Sequence, residues 1–581
     1  MSICARRQRP AALALALAFI LLAAAGSPGG AGTADAQQGP VRLHLIWTND
    51  VHGHIAPEPA RFMNPSFPPP LGGGASLATY LAGVREEAAA AGEAVLVVDV
   101  GDFFQGTPVG SKTKGDAVMA YFEQLRYDVI VPGNHDFDMG RDNTERLANG
   151  TRIPFVCANL RDAADGEIVD WCVPTLMLER AGLKIGVIGI ITTGTEHMSF
   201  PANIEGLIFD PMVPAIETWR DRLRADGADL IFLLIHEGLP FDPQEGWRRI
   251  VGGGEAETGQ AESQGGAYGT VTGGAMNLME IVNAVEGIDV AVGGHTHRGY
   301  EQPWIDPMTH TLCFESFGNG SSVGHAILKI DPVTRTLLGY ESPHDRGVLI
   351  TLFEDELWPD PAMRRVLQPY IAKADAEMGK VVGSSAVNLT RGDPGASLMG
   401  NLVTDAMREY FDADFSFQNL GGLRADVPAG NITARDVFSV LPFGNELVVV
   451  RMPGSLIRTL VERKVAGDSG GICVSGLRMR YNKQRPDGDR VVELEIAGAP
   501  LDPDRMYRVV TTTFLMEGNS GLDFLTTVPA QDIELTQITI DAAFEQYLER
   551  HSPVRPRVDD RWVEDTAGVQ APYLARPPAA D

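Results

Sequence analysis

Positive charge is the first thing this chain has little of. Over 581 residues, 48 Lys and Arg stand against 76 Asp and Glu, a formal net charge of −28. A chain so acidic has no broad basic face with which to hold a nucleic-acid polymer. If it acts on small anions, a local positive centre such as bound metal must overcome its own field. Cysteine is scarce too, with five residues and no CxxC pair, which excludes a structural zinc knot. Long apolar runs are nearly absent: only 11–26 comes close, and it falls short of the roughly 20 residues that span a bilayer. No stable membrane span is therefore expected. No internal repeat is present either, which removes solenoids and propellers.

What is there begins with an address. Arg6, Arg7 and Arg9 precede the 11–26 run, and Ala34-Asp35-Ala36 offers a small-x-small cleavage site. Residues 1–36 read as a signal peptide and the mature protein as periplasmic or secreted, by either the general or the twin-arginine route. In an oxidising compartment Cys157 and Cys172, which flank a polar loop, can form a bridge or stay as buried thiols.

The length exceeds what one core supports, so at least two domains are expected. From 41 to about 350, apolar runs at 43–47, 95–100, 129–131, 185–190, 230–235 and 290–292 alternate with helical stretches at 75–91, 116–125, 214–224 and 276–285. Such alternation predicts α/β layering with buried strands. The glycine-rich stretch 252–274 lacks periodicity and reads as a loop. Asp360 and Pro361 open a connecting helix, with Pro369 expected to kink or split it. A second unit with helices at 398–410 and 455–465 runs to about 563, followed by an Ala/Pro-rich tail at 567–581.

Five segments carry metal-ligand residue types, each just past an apolar run. They are Asn49-Asp50-Val51-His52-Gly53, Gly101-Asp102, Gly133-Asn134-His135-Asp136-Phe137-Asp138, His236-Glu237-Gly238 and Gly293-Gly294-His295-Thr296-His297. Loops at the carboxyl ends of parallel strands line the ligand crevice of α/β folds, so segments some 250 residues apart can converge. Neutral His and ionised Asp suit borderline divalent ions such as Mn, Zn, Co or Fe. One such histidine means little, since most are structural; five ordered segments at strand ends mean more.

This set resembles that of the calcineurin-like dinuclear metallophosphatases. More closely, Thr48-Asn49-Asp50-Val51-His52-Gly53, Gln105-Gly106-Thr107-Pro108 and the Asn134 segment resemble the 5′-nucleotidase, UDP-sugar hydrolase and 2′,3′-cyclic phosphodiesterase branch. So do Asn419-Leu420-Gly421-Gly422-Leu423-Arg424, Leu441-Pro442-Phe443-Gly444-Asn445 and Thr513-Phe514-Leu515 in the second unit. The resemblance implies a four-layer α/β/β/α metallophosphatase domain at 41–350. A linker helix at 355–379 would join it to a smaller mixed α/β substrate-binding domain at 380–563. It implies two divalent ions, one held by Asp50, His52 and His297, the other by Asn134, His236 and His295, with Asp102 bridging. His135 would serve the leaving oxygen with Asp138 orienting it, while His54 reads as structural. Asn419, Arg424, Phe443 and Phe514 would hold a small-molecule phosphate ester, the two rings sandwiching a nucleobase.

Two departures from the pattern stand out. Related enzymes carry an arginine shortly before Met399-Gly400-Asn401; here 392–398 has none, and Arg391 is out of register. A ribose-binding Asp of the family is replaced by Ser520. The leading expectation is an exported phosphoester hydrolase acting on nucleoside 5′-monophosphates. Cyclic nucleotides, nucleotide sugars and non-nucleotide esters are the alternatives within enzymes, and a non-catalytic surface binding protein the alternative outside them.

Overall fold

The computed structural model describes residues 39–565 apart from 61–62, 65–66, 200, 241, 253–275, 394, 468–470 and 517. The expected signal peptide, nearly all of the glycine-rich stretch and the tail lie outside the described residues. Among these residues, no helix is long and apolar enough to cross a membrane.

The N-terminal half is built on two six-stranded sheets. In the first, Val41–Thr48 pairs in parallel with Ala94–Asp99 and antiparallel with Ser322–Ile330. In the second, Leu230–His236 runs parallel to Leu183–Ile191 on one side and to Val290–Val292 on the other. Alternation along each strand divides its side chains between two faces. Leu43, Leu45, Trp47, Leu96 and Val98 point one way and pack with Ile185, Val187, Phe232, Leu234 and Val292 of the other sheet. The outward residues Ile46 and Val97 meet the helices Gly73–Ala91 and Asp116–Leu125. On the far side Ile188, Ile190, Ile231 and Leu233 meet Met212–Ala225 and Leu278–Ala284. The layers are therefore α/β/β/α, and strands buried on both faces explain runs as unbroken as Leu-Ile-Phe-Leu-Leu-Ile.

Ser322–Ile330 sits beside the central strand although its mixed composition hid it from a periodicity reading. Gly324 lies opposite Trp47, and a β-carbon there would stand 1.9 Å from the indole. The residue is glycine because the largest side chain of the inter-sheet core occupies that space. On the helix-facing side the same strand carries a buried polar chain. Tyr80 Oη donates to His325 Nδ1 at 2.7 Å, His325 Nε2 meets His44 Nδ1 at 2.9 Å, and His44 Nε2 meets Glu93 at 2.7 Å. Burial, then the neighbouring His44, hold His325 down to about 3.

Asp360 caps the connecting helix Pro361–Met378 by accepting from Met363 N–H at 2.6 Å, with Pro361 at its start. Pro369 does not split it. Met363 and Leu367 before the proline and Ala374 after it are all buried in the first sheet's helical core, within one continuous helix. Beyond it a five-stranded sheet is ordered Ile472–Ser475, Phe415–Asn419, Met506–Thr512, Glu446–Pro453, Ile533–Thr539. The helices Leu398–Tyr410 and Ile540–His551 pack on one face and Gly454–Ala466 on the other. Cys157, Cys172, Cys313 and Cys473 are all free and buried, so the bridge allowed for Cys157 and Cys172 is not formed in this structure.

Candidate metal centre and active site

Four of the five segments follow parallel strands of the two facing sheets directly, and the fold brings all five to one rim. Asp50 and His52 follow Val41–Thr48, Asp102 follows Ala94–Asp99, and Asn134 and His135 follow Val129–Ile130. His236 ends its own strand, and His295 and His297 follow Val290–Val292. Donor atoms of Asp50, His52 and His297 lie within 4.8 Å of one another, as do those of Asp102, His236 and His295. The two groups touch. His52 Nε2 stands 3.0 Å from His297 Nε2 and 3.8 Å from Asp102 Oδ2, while His236 Nε2 stands 3.2 Å from Asp102 Oδ2 and 3.1 Å from Asn134 Oδ1.

The loops are held in costly conformations. Asp50, His52, Asp102, His295 and His297 all have positive φ, between 47° and 72°. Left-handed backbone costs roughly 1–3 kcal/mol per non-glycine residue and persists only where surroundings over-determine it. Here they do. Asp50 N–H donates to Gly101 O, His52 N–H to Asp102 O, and His295 N–H to the Asp50 carboxylate, each at 2.9 Å. The buried Asp136 carboxylate accepts from the N–H groups of Gly133 at 2.8 Å and of Asp102 and Phe103 at 3.0 Å, tying the second loop to the third. Gly101 and Gly133 permit this approach: a β-carbon on either would fall within 2.6 Å of the other loop.

The donor set fits divalent cations. His52 Nδ1 lies 2.6 Å from Gln105 O and His236 Nδ1 2.7 Å from Val100 O. Each ring thus donates its Nδ1–H to a carbonyl and turns its Nε2 inward, the orientation that a ligand histidine needs. Burial, then the charge of His236, lower His295 to about 3, and burial with His297 holds His52 well below its ordinary value. Burial works against ionised Asp102, but the charges of His236 and His135 outweigh it and keep the carboxylate well below its usual range. His236 feels burial downward and Asp102 upward, and ends near 10. The field that would keep a proton there is one that draws a cation.

His135 stands beside the donor atoms, its ring centre 5.5 Å from that of His52. Its Nδ1 lies 2.8 Å from Asp138 Oδ2, its backbone N–H donates to Asp102 Oδ1 at 2.7 Å, and its ring is partly exposed. Burial lowers this imidazole, but Asp138 and then Asp102 raise it further, to about 10. Asp138, and not the nearer Asp136, is the partner. His54 meets Glu58 at 2.6 Å and takes no part in either donor group.

In the C-terminal part, Asn419 ends its strand with a buried Oδ1 that has no partner among the described residues. Arg424 donates to Gly421 O at 3.1 Å and its guanidinium lies 5.8 Å from the Phe443 ring centre. Arg424 shares a cavity of about 420 Å³ with Arg391, Gly392, Leu420, Gly421, Leu423 and Asp426. The out-of-register Arg391 therefore reaches the same space, where it pairs with Asp426 at 3.1 Å. Phe514 is half-buried against the core. Ser520 has φ +59°, and its carbonyl accepts from the buried Lys464 ammonium.

Comparison with known proteins decides the lineage. Residues 43–299 match the family model of calcineurin-like phosphoesterases, and residues 377–527 that of the 5′-nucleotidase C-terminal domain. The chain belongs to the 5′-nucleotidase family of calcineurin-like phosphoesterases. It is a phosphoester hydrolase, and this family's fold implies divalent metal ions. The 5′-nucleotidase of Vibrio parahaemolyticus is 26% identical over 561 residues, covering 94% of this chain and 95% of that one. The endonuclease YhcR of Bacillus subtilis is 25% identical over 516 residues; the match takes in 85% of this chain but only 39% of that protein. The crystal structure of a 5′-nucleotidase precursor from Thermus thermophilus superposes with a TM-score of 0.63 at 26% identity, covering 90% of this chain and 99% of that one.

Sequence reading missed the carboxylates beneath the site. Asp99 accepts from Thr48 Oγ1 at 2.7 Å and Gly101 N–H at 3.0 Å, and Glu315 holds the segments after His236 and His295. Asp99 lies within the run 95–100 and not past it, and Glu315 follows the three-residue strand Leu312–Phe314, which the apolar-run pattern passed over.

Proposed function

We propose that this chain is an exported, dinuclear-metal phosphoester hydrolase that releases phosphate from nucleoside 5′-monophosphates. The observation that carries the reading is the meeting of two acid–histidine groups at Asp102, with the His135–Asp138 pair hydrogen-bonded to the same carboxylate. Asp50, His52 and His297 would hold one ion and Asn134, His236 and His295 the other, with Asp102 shared. Two dications so held would acidify water and neutralise phosphate oxygens. The chain's own part is then clear. His135, with Nδ1 committed to Asp138, presents its other ring nitrogen as the proton donor to the departing ester oxygen. Asp138 fixes that orientation and favours the charged ring.

Residues 41–350 act as the catalytic domain, the connecting helix as a linker, and 380–563 as the substrate domain. Phe443 and Phe514 offer faces to a nucleobase, Asn419 an unpartnered acceptor, and Arg424 with Arg391 positive charge for an anionic group. At Ser520 a short neutral hydroxyl replaces a carboxylate, so ribose and deoxyribose are discriminated poorly. A pure binding protein would have no use for His135 and Asp138, and the charge of −28 disfavours long nucleic acids as substrate.

The test is a phosphate-release screen over nucleoside monophosphates, 2′,3′-cyclic nucleotides, nucleotide sugars and glycerol phosphate, with Mn, Zn, Co and Fe in turn. AMP-type substrates should turn over fastest. Preference for a sugar nucleotide or cyclic ester would move the assignment within the family, and no turnover with any metal would end it.

A further inference from the structure

We propose that Glu315 is a positioning residue that locks the chain segments after His236 and around His295–His297 into one metal-binding rim. This rests on the two-metal reading above. Glu315 follows the strand Leu312–Phe314 and is wholly buried. Its Oε2 accepts from Leu239 N–H at 2.8 Å, three residues beyond His236. Its Oε1 accepts from the Thr296 hydroxyl at 2.5 Å and from Arg298 N–H at 3.3 Å. Thr296 lies between the two histidines, and Arg298 directly follows the second. One side chain thus bridges segments that supply ligands to both donor groups.

The neighbouring residue extends the clamp to the first loop. Ser316 N–H and Oγ donate to Asn49 Oδ1 at 3.0 and 2.5 Å, and Asn49 Nδ2 donates to Asp50 Oδ2 at 2.7 Å. The Glu315–Ser316 step therefore touches the loops bearing Asp50, His236, His295 and His297. All three groups that donate to Glu315 are neutral. Burying a carboxyl group on neutral donors is expensive, and burial pushes this one well above its usual range; it stands at the rim where two histidines hold left-handed backbone. Outer groups that orient metal ligands typically govern affinity by 10–100-fold.

The test uses the full chain and Mn2+ alone. Glu315→Leu removes all three acceptor contacts; it should weaken Mn2+ binding by about 10–100-fold in calorimetry and erode the spin-coupled two-manganese signal in electron paramagnetic resonance. Glu315→Gln should fall between wild type and Glu315→Leu, because its amide oxygen can take Leu239 N–H and its NH2 can donate to the rotatable Thr296 hydroxyl, while Arg298 N–H loses its acceptor. If Glu315→Leu does not fold, Thr296→Val carries the test: it removes one donor and should weaken Mn2+ several-fold, with Thr296→Ser restoring it. Unchanged Mn2+ affinity and spin coupling in Glu315→Leu, even with a lower melting temperature of the metal-free protein, would make Glu315 an ordinary fold residue and overturn the proposal. So would Thr296→Val at wild-type affinity. Weakened Mn2+ binding in a protein that hydrolyses no nucleotide would uphold the clamp and defeat only the nucleotidase reading.

Discussion

The two functional regions of this molecule are built to different tolerances. In the N-terminal half, five candidate ligands sit on left-handed backbone that carboxylates and neighbouring loops pin in place, and the donor atoms of each group lie within 4.8 Å of one another. In the C-terminal half, Arg391 and Arg424 line an open cavity, Arg391 pairs with an exposed aspartate, and Asn419 Oδ1 has no partner among the described residues. Chemistry demands fixed geometry before substrate arrives, whereas recognition tolerates groups that settle around the ligand. A family can therefore keep the first region and redraw the second, which is where Ser520 and the displaced arginine fall.

Asp102→Asn is the strongest way to break the first region. It removes the one charge common to both donor groups and should cut phosphate release by about 10⁴-fold or more, several kcal/mol of stabilisation. Metal content by mass spectrometry should fall with it. His135→Ala comes next: the donor atoms remain, so metal content should hold, while AMP turnover drops roughly 10²–10³-fold. p-Nitrophenyl phosphate, whose leaving group needs little help, should suffer less; equal losses on both esters would contradict the role given to His135.

Arg424→Ala probes the second region and should separate it from the first. Loss of a charged hydrogen bond is worth about 1.5–3 kcal/mol, or roughly tenfold to a hundredfold. The loss should appear in KM for AMP with kcat nearly unchanged, and p-nitrophenyl phosphate kinetics should not move. A fall in kcat on both substrates would mean that the two regions are not separable.

The smallest effect concerns the scaffold under the rim. His325 is held near 3 in the fold against 6.5 for a free histidine. The unfolded chain therefore binds the extra proton below about pH 6.5, and stability is lost as pH falls from there toward 3. At pH 5.5 the loss from this group is about 1.4 kcal/mol. Urea midpoints at pH 7.5 and 5.5 should converge in His325→Gln relative to wild type, with metal affinity untouched.

Much of this was legible in the chain because the rules that reveal it are local. Apolar runs of three to six residues gave the parallel strands, and Asp360-Pro361 gave the start of the connecting helix. A metal-ligand residue type just past an apolar run marked Asp50, Asp102, Asn134, His236 and His295. Other features were not local. Ser322–Ile330 lacks a clean apolar pattern because Gly324 makes room for Trp47 and His325 joins a buried polar chain. Pro369 was expected to kink or split its helix, and Pro361–Met378 runs through it unsplit, with residues on both sides buried in one core. Glu315 meets Leu239, 76 residues away, and Asp136 meets Asp102, 34 away; neither pairing follows any periodicity, only the approach of one loop to another.

The central claim is that the N-terminal rim is a two-ion centre on which hydrolysis depends, and counting ions against activity tests it most directly. Protein stripped with chelator and titrated with Mn2+ should regain AMP hydrolysis only as the second ion binds, with two Mn2+ per chain at full activity by mass spectrometry. Full activity at one ion per chain, or in chelator with none, would contradict it.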